Sequence, residues 1–239
     1  MDAKETYKQG ETVIDLGSGA GFDILTAAKK VGPSGRAIGV DMNKNMISKA
    51  NANKILMNLL NVEFIESPIT SIPLPDAKAD CIISNCVINL VPASEKQLAF
   101  NEIFRLLKPG GRVAVSDILA RKELPDDIRR DVALYVGCIA GASLVGEYEE
   151  FLKNAGFEDV LIVDTKSDLN VYFTANEAQS SCCKGADEDL AQNSSSCAPP
   201  RSAGSLETGG DVSSDRSSIT DFNQWAGSFQ IYAVKPGSA

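Results

Sequence analysis

The residues best suited to chemistry lie near the start of the chain. In Val13-Ile-Asp-Leu-Gly-Ser-Gly-Ala-Gly-Phe-Asp23, an apolar run ends in Asp15, and Gly17, Gly19 and Gly21 follow at alternate positions before a helical pattern begins. A strand, a tight turn and a helix start are expected there. Glycine takes positive φ and has no side chain, so a ligand can lie against the backbone of such a turn. The spacing D-x-G-x-G-x-G is not the dinucleotide form G-x-G-x-x-G, and an ordinary glycine-rich turn would look similar. Asp41 stands 20 residues beyond Gly21, at the end of the next apolar run. An acid there can accept both ribose hydroxyls of a nucleoside, or simply cap the following helix.

The chain contains no histidine. That removes Ser-His-Asp and Cys-His nucleophile systems, histidine metal ligands and the commonest general base. Six cysteines remain, at positions 81, 86, 138, 182, 183 and 197. Cys86, in Ile83-Ser-Asn-Cys-Val-Ile-Asn-Leu90, falls just past a predicted strand. Cys138, in Tyr135-Val-Gly-Cys-Ile-Ala-Gly-Ala142, follows a predicted helix that could cover the same cleft. A cysteine in such apolar context also fits a small buried hydrophobe, and Cys81, inside a strand, is expected in the core.

The elements that must position these residues alternate. Strands are expected at Thr12–Leu16, Arg36–Val40, Val62–Ile65, Cys81–Ser84, Arg112–Ser116 and Val160–Val163. Helices are expected at Phe22–Val31, Lys44–Leu59 with Asn43 as N-cap, Ser94–Leu107 closed by Pro109-Gly110-Gly111, Asp126–Val136 and Glu147–Asn154. Such alternation implies right-handed crossovers and a mainly parallel sheet. Its ligands bind at strand carboxyl ends, where Asp15, Asp41 and Asn85 fall. Residues 175–220, rich in Ser, Gly, Asp and Glu, cannot bury enough apolar surface to offset ordering and are expected to form a disordered insert. Ser228–Val234 alternates as a strand should, so residues 221–236 are expected to return to the sheet.

With 239 residues, 44% hydrophobic and 23% charged, the chain reads as a globular protein with one good-sized core. A net charge of −9 disfavours nucleic acid and anionic membranes as partners. No membrane span or signal peptide is evident, so a cytoplasmic protein with reduced cysteines is expected.

The glycine motif resembles motif I of class I S-adenosylmethionine-dependent methyltransferases, and Leu107-Lys-Pro-Gly-Gly-Arg112 resembles their turn before strand five. Ser84-Asn-Cys-Val-Ile-Asn-Leu90, together with Gly137-Cys-Ile-Ala-Gly-Ala142, Glu147-Tyr-Glu-Glu-Phe-Leu and Ala155-Gly-Phe157, is more selective: it resembles the arsenite S-adenosylmethyltransferases. The resemblance covers about residues 11–173 and Phe229–Pro236. It implies a Rossmann-like α/β fold with a mainly parallel seven-stranded sheet and helices on both faces, residues 1–174 forming the methyltransferase domain. It implies S-adenosyl-L-methionine as cofactor, held by Asp15, Gly17, Ser18, Gly19, Gly21, Asp41, Met42, Ile69 and Asn85, with Ile69 against the adenine. It implies trivalent arsenic held by the catalytic thiols of Cys86 and Cys138, with Cys182 and Cys183 as further candidate ligands. A thiol reductant, glutathione or thioredoxin, would be co-substrate, and a monomer is expected.

The chemistry is consistent with this. Thiolates select soft centres such as trivalent arsenic, whose lone pair attacks a sulfonium methyl without a base, so the missing histidine is no handicap. Family members carry residues ahead of motif I that cover the cofactor and supply further cysteines; here motif I begins at Val13. The expectation is a preference for a monomethylated arsenical over arsenite, and weak cofactor binding. The alternatives are a quinone- or sterol-type C-methyltransferase without functional cysteines, and a form that binds arsenicals with little turnover.

Overall fold

The computed structural model describes residues 7–125, 141–171 and 221–237. Its contacts divide the chain into a large unit, Met1–Leu169 with Asp221–Ala239, and a small one, Asn170–Thr220. Of the small unit only Asn170 and Val171 are described.

The large unit alternates strand and helix as the hydrophobic pattern dictates. It runs β1 (Thr12–Leu16), α1 (Phe22–Val31), β2 (Arg36–Asp41), α2 (Lys44–Leu56), β3 (Val62–Glu66), β4 (Ala79–Asn85), α3 (Lys96–Leu106), β5 (Leu107–Ala120), α4 (Val145–Ala155), β6 (Asp159–Asp164) and β7 (Ala226–Val234). The strands form one seven-stranded sheet in the order β3-β2-β1-β4-β5-β7-β6. The first five are parallel, and β7 inserts antiparallel between β5 and β6. This is the doubly wound, Rossmann-like arrangement that the alternation implied.

Central strands are buried on both faces. Ile14, Leu16, Ile82 and Val115 face the larger core with α3 and α4, while Val13, Cys81 and Ile83 face α1. Cys81 is fully buried, and burial pushes its thiol up to about 12. It is an inert core thiol. The bidentate Glu11–Arg112 pair, 2.8 Å on each arm, ties the residue before β1 to β5.

Several boundaries differ from the sequence pattern, and the largest differences have local reasons. Helix α2 stops at Leu56 rather than Leu59 because Asn58 turns left-handed (φ +51) and its N–H bonds to the Ile55 carbonyl. Ser94 lies in a 3-10 turn, Ala93–Glu95, so α3 opens at Lys96. The Pro109-Gly110-Gly111 turn does not merely close α3. Leu107 is already extended and buried, and Gly110 and Gly111 exchange backbone hydrogen bonds with Lys235, so the turn belongs to β5 beside the end of β7. β5 likewise runs on to Ala120 because β7 pairs with it as far as Ala226. The expected helix Asp126–Val136 and the expected insert lie outside the described residues.

Candidate active site

The β1–α1 turn carries three left-handed glycines: Gly17 at φ +67, Gly19 at +52 and Gly21 at +89. Ser18 donates its N–H to the Val40 carbonyl (2.9 Å), which seats the turn on β2. Asp41, the last residue of β2, then holds two loops at once. Its Oδ2 accepts the Gly19 N–H and its Oδ1 the Asn43 N–H, both at 2.8 Å. Asn43 in turn caps α2 by accepting from the Asn45 and Met46 amides. A carboxylate has about four acceptor sites, so Asp41 retains capacity for hydroxyls of a bound nucleoside.

The turn is packed on one side and open on the other. A Cβ on Gly17 would stand 2.1 Å from Val87 Cγ2, whereas a Cβ on Gly19 would meet nothing within 4 Å among the described residues. The Ser18 hydroxyl is buried and has no hydrogen-bond partner among the described residues. An open backbone beside an acceptor carboxylate and an unsatisfied hydroxyl fits the nucleoside portion of S-adenosylmethionine.

A cleft runs from this region over the sheet. Asp15, Ile83, Ala114 and Tyr232 form one cross-strand row, and Asn85, Ser116 and Gln230 form the next row on the same face. Together with Asp23 of α1 they line the cleft.

Cys86 follows Asn85 directly and is partly exposed. Its backbone is left-handed at φ +55, unusual for a residue with a side chain, and its N–H donates to the Ser116 carbonyl (2.9 Å). Behind it lies a buried polar group. Asn89 donates both amide hydrogens to β5, to Asp117 Oδ1 (2.8 Å) and the Ile118 carbonyl (2.6 Å). Asp117 Oδ1 also accepts the Ile118 N–H, and the buried Tyr148 hydroxyl lies close enough to interact with the same carboxyl. Burial, and next the charge of Cys86, push the Asp117 carboxyl up to about 8. Burial likewise drives the Tyr148 hydroxyl well above its usual range. Lys96 is also buried; it donates to the Gly141 carbonyl and the Ser143 hydroxyl, and burial lowers its pKa.

Of the residues singled out in the sequence, Gly17, Ser18, Gly19, Gly21 and Asp41 converge on one turn, and Asp15 and Asn85 lie in the adjoining cleft. Met42 is 76% exposed beside Asp41. Ile69 is 8% exposed and packs into the larger core, leaving little surface for a ligand. Cys138, Cys182, Cys183 and Cys197 lie outside the described residues. Among the described residues, no group of three or more His, Cys, Asp or Glu side chains is placed to hold a metal ion. Sequence reading missed Asn89, Asp117, Ser116, Gln230 and Tyr232. The signal available was the position of Asn89 three residues past Cys86, and of Ser116 and Asp117 at the end of an apolar strand.

Strand order, the antiparallel β7 and the glycine turn joined to Asp41 define the class I fold of S-adenosylmethionine-dependent methyltransferases. The chain belongs to the methyltransferase-domain family, whose pattern matches residues 7–156. It is 50% identical over 153 residues to an arsenite methyltransferase of Halobacterium salinarum, covering 64% of this chain and 39% of that protein. It is 34% identical over 154 residues to the human arsenite methyltransferase, covering 61% of this chain and 40% of that one. The chain thus spans about two fifths of the length of these relatives. Among solved structures it resembles an arsenic(III) S-adenosylmethionine methyltransferase from Chlamydomonas reinhardtii, with a TM-score of 0.62, 25% identity, and coverage of 95% of this chain and 64% of that one.

Proposed function

We propose that this chain transfers methyl groups to trivalent arsenic, arsenite or methylarsonous acid, with S-adenosylmethionine as donor. The observation that carries the reading is the position of Cys86. It is a partly exposed thiol in a strained turn, one residue beyond the cleft residue Asn85, and its neighbour Val87 packs on Gly17 of the cofactor turn. The 50% identity to an arsenite methyltransferase supports the acceptor.

The roles follow from the side chains. Asp41 accepts ribose hydroxyls while fixing Gly19, and the open backbone at Gly19 lets the nucleoside approach. Asp15 and Asn85 border the methyl-bearing end. S-adenosylmethionine, when bound, supplies an electrophilic sulfonium methyl. Cys86 and Cys138 hold arsenic as thiolates, leaving its lone pair free to attack. As the arsenic–carbon bond forms, the methyl carbon–sulfur bond would break and S-adenosylhomocysteine would leave with its electron pair; arsenic is then formally pentavalent, and a thiol reductant, glutathione or thioredoxin, would return the two electrons and become a disulfide. Methylation of this kind would serve arsenic detoxification. The protein would act as a monomer in the cytoplasm, without nucleic-acid or membrane partners; no helix among the described residues is long and apolar enough to cross a membrane.

The test is methyl transfer from labelled S-adenosylmethionine to arsenite or methylarsonous acid, with a thiol reductant, by the full chain and by Cys86→Ser. Labelled arsenical from the first and none from the second is expected. Equal turnover by Cys86→Ser would point to an acceptor not held by this thiol, such as a quinone carbon.

A further inference from the structure

The paired strands β4 and β5 end their ladder at Asn85 and Ser116, yet the loop beyond remains bound to β5 for four more residues. Cys86 donates its N–H to the Ser116 carbonyl, and Asn89 spends both side-chain hydrogens on the next two β5 residues, Asp117 and Ile118. An amide side chain thus takes over where backbone pairing stops. Between these two attachments sits Cys86, in a left-handed conformation that a residue with a Cβ leaves when nothing holds it. Asn89 and Asp117 are both 1% exposed, so neither has water as a replacement partner. The Tyr148 hydroxyl, on α4, lies close enough to interact with Asp117 and Cys86, but it reaches Asp117 from the helix side and does not tie the Cys86 loop to β5.

We propose that the Asn89–Asp117 pair is the positioning device of the reaction: its hydrogen bonds hold the Cys86 loop in the left-handed turn that presents the thiol to the arsenical beside the cofactor turn. This rests on the reading of Cys86 as the arsenic ligand. Asn89 and Asp117 do not touch the substrate; they act through the loop. The requirement is for an oxygen acceptor at Asp117 and a two-hydrogen donor at Asn89, and not for the carboxylate charge.

Two variants separate these requirements. Asn89→Ala removes the donor. Asp117→Asn preserves the shape and an oxygen able to accept from Asn89. Alkylation of Cys86 by iodoacetamide, followed on its own peptide by mass spectrometry, reads the loop without any arsenical. Release of the loop in Asn89→Ala should speed that alkylation about tenfold, as local opening does for protected groups. In the same variant kcat/KM for the arsenical should fall about 100-fold, the scale of a misplacement near 1 Å. Affinity for S-adenosylmethionine, by calorimetry, should fall far less, and Asp117→Asn should resemble the unaltered protein in all three. Unchanged Cys86 alkylation in Asn89→Ala overturns the proposal, and so does an Asp117→Asn variant as impaired as Asn89→Ala.

Should Asn89→Ala not fold, the side-chain amide of Asn89 in the unaltered protein decides by NMR. Slow hydrogen exchange, with a shift on adding methylarsonous acid, supports the device; exchange as fast as that of an exposed asparagine overturns it. If the unaltered protein methylates no arsenical while alkylation still responds to Asn89→Ala, the positioning device stands and the arsenic reading falls.

Discussion

Gly17 and Val87 are in direct apposition: a Cβ on the glycine would stand 2.1 Å from one Val87 methyl and 2.7 Å from the other. The β1–α1 glycine turn and the loop bearing Cys86 are therefore one packed unit, joined through the absence of a side chain. Gly17→Ala should move Val87 and strain the φ of +67 at once. A loss of about 1–3 kcal/mol in stability is expected from overpacking of this kind. Both S-adenosylmethionine affinity and arsenical turnover should fall in the same variant, measured by urea denaturation, calorimetry and methyl transfer. A variant that binds the donor as before and loses only stability would show that the two loops are not coupled.

Asp41 has a separable role. Its two oxygens fix the Gly19 and Asn43 amides from solvent-accessible positions near the end of β2. Asp41→Ala removes charge-assisted bonds worth about 1.5–3 kcal/mol each, and any ribose contact with them. The expected result is at least a roughly tenfold weaker grip on S-adenosylmethionine, since about 1.4 kcal/mol is a factor of ten. Asp41→Asn, which retains one acceptor oxygen, should be intermediate. Donor titrations of the two variants that give the unaltered affinity would remove Asp41 from the site.

The glycine-turn half of the candidate site was legible in the sequence because that half is local. Asp15 to Gly21 is one turn, the Asn43 cap acts on residues two and three positions away, and Asp41 ends the adjacent strand. The acceptor half was only partly legible. Cys86 stood out by type, but Asn89 of its loop pairs with Asp117, 28 positions further along the chain, and Tyr148 on α4 lies near both Asp117 and Cys86. Neither pairing has a local signature, because both depend on how β4 and β5 lie in register. The early start of β5 was hidden for the same reason: Leu107-Lys-Pro-Gly-Gly111 has the composition of a helix stop, and Ala79 and Lys235, both distant in the chain, draw it into the sheet. Ile69, whose place in a motif suggested ligand contact, is largely buried against the core, which its neighbours in sequence do not reveal.

Asp117 makes stability depend on pH. Its carboxyl titrates near 8 in the folded protein because burial disfavours its charge, reinforced by Cys86 and opposed by the Ile118 N–H, the Lys96 ammonium and Asn89. Unfolded, it titrates at an ordinary aspartate value. The folded pKa is raised, so the stability contribution is complete below about pH 4 and is lost as pH rises through about 8. Across that window the native state binds the extra proton, and stability falls with pH by up to about 1.4 kcal/mol per unit. Asp117→Asn cannot ionise. It should gain on the unaltered protein as pH rises from 5 to 8, measured by urea denaturation at each pH. A constant difference between the two proteins across that range would mean that Asp117 is ionised throughout.

Stability and function pull in opposite directions at Cys86. Its φ of +55 is left-handed, a conformation that costs an L-residue with a side chain roughly 1–2 kcal/mol and glycine almost nothing. Cys86→Gly keeps the N–H bond to Ser116 and removes the strain, at the expense of a small side chain that is only partly buried. Glycine also gives the unfolded chain more freedom, which offsets part of the gain. The net expectation is a protein as stable as the original or more stable, by up to about 1 kcal/mol, with no methyl transfer to arsenic. Cys86→Ser keeps the strain and should match the original in stability while losing the same activity. Thermal unfolding of the two variants side by side reads the difference. If Cys86→Gly melts clearly below Cys86→Ser, the turn is not under strain, and a reason other than delivery of the thiol must be found for a non-glycine residue at this position.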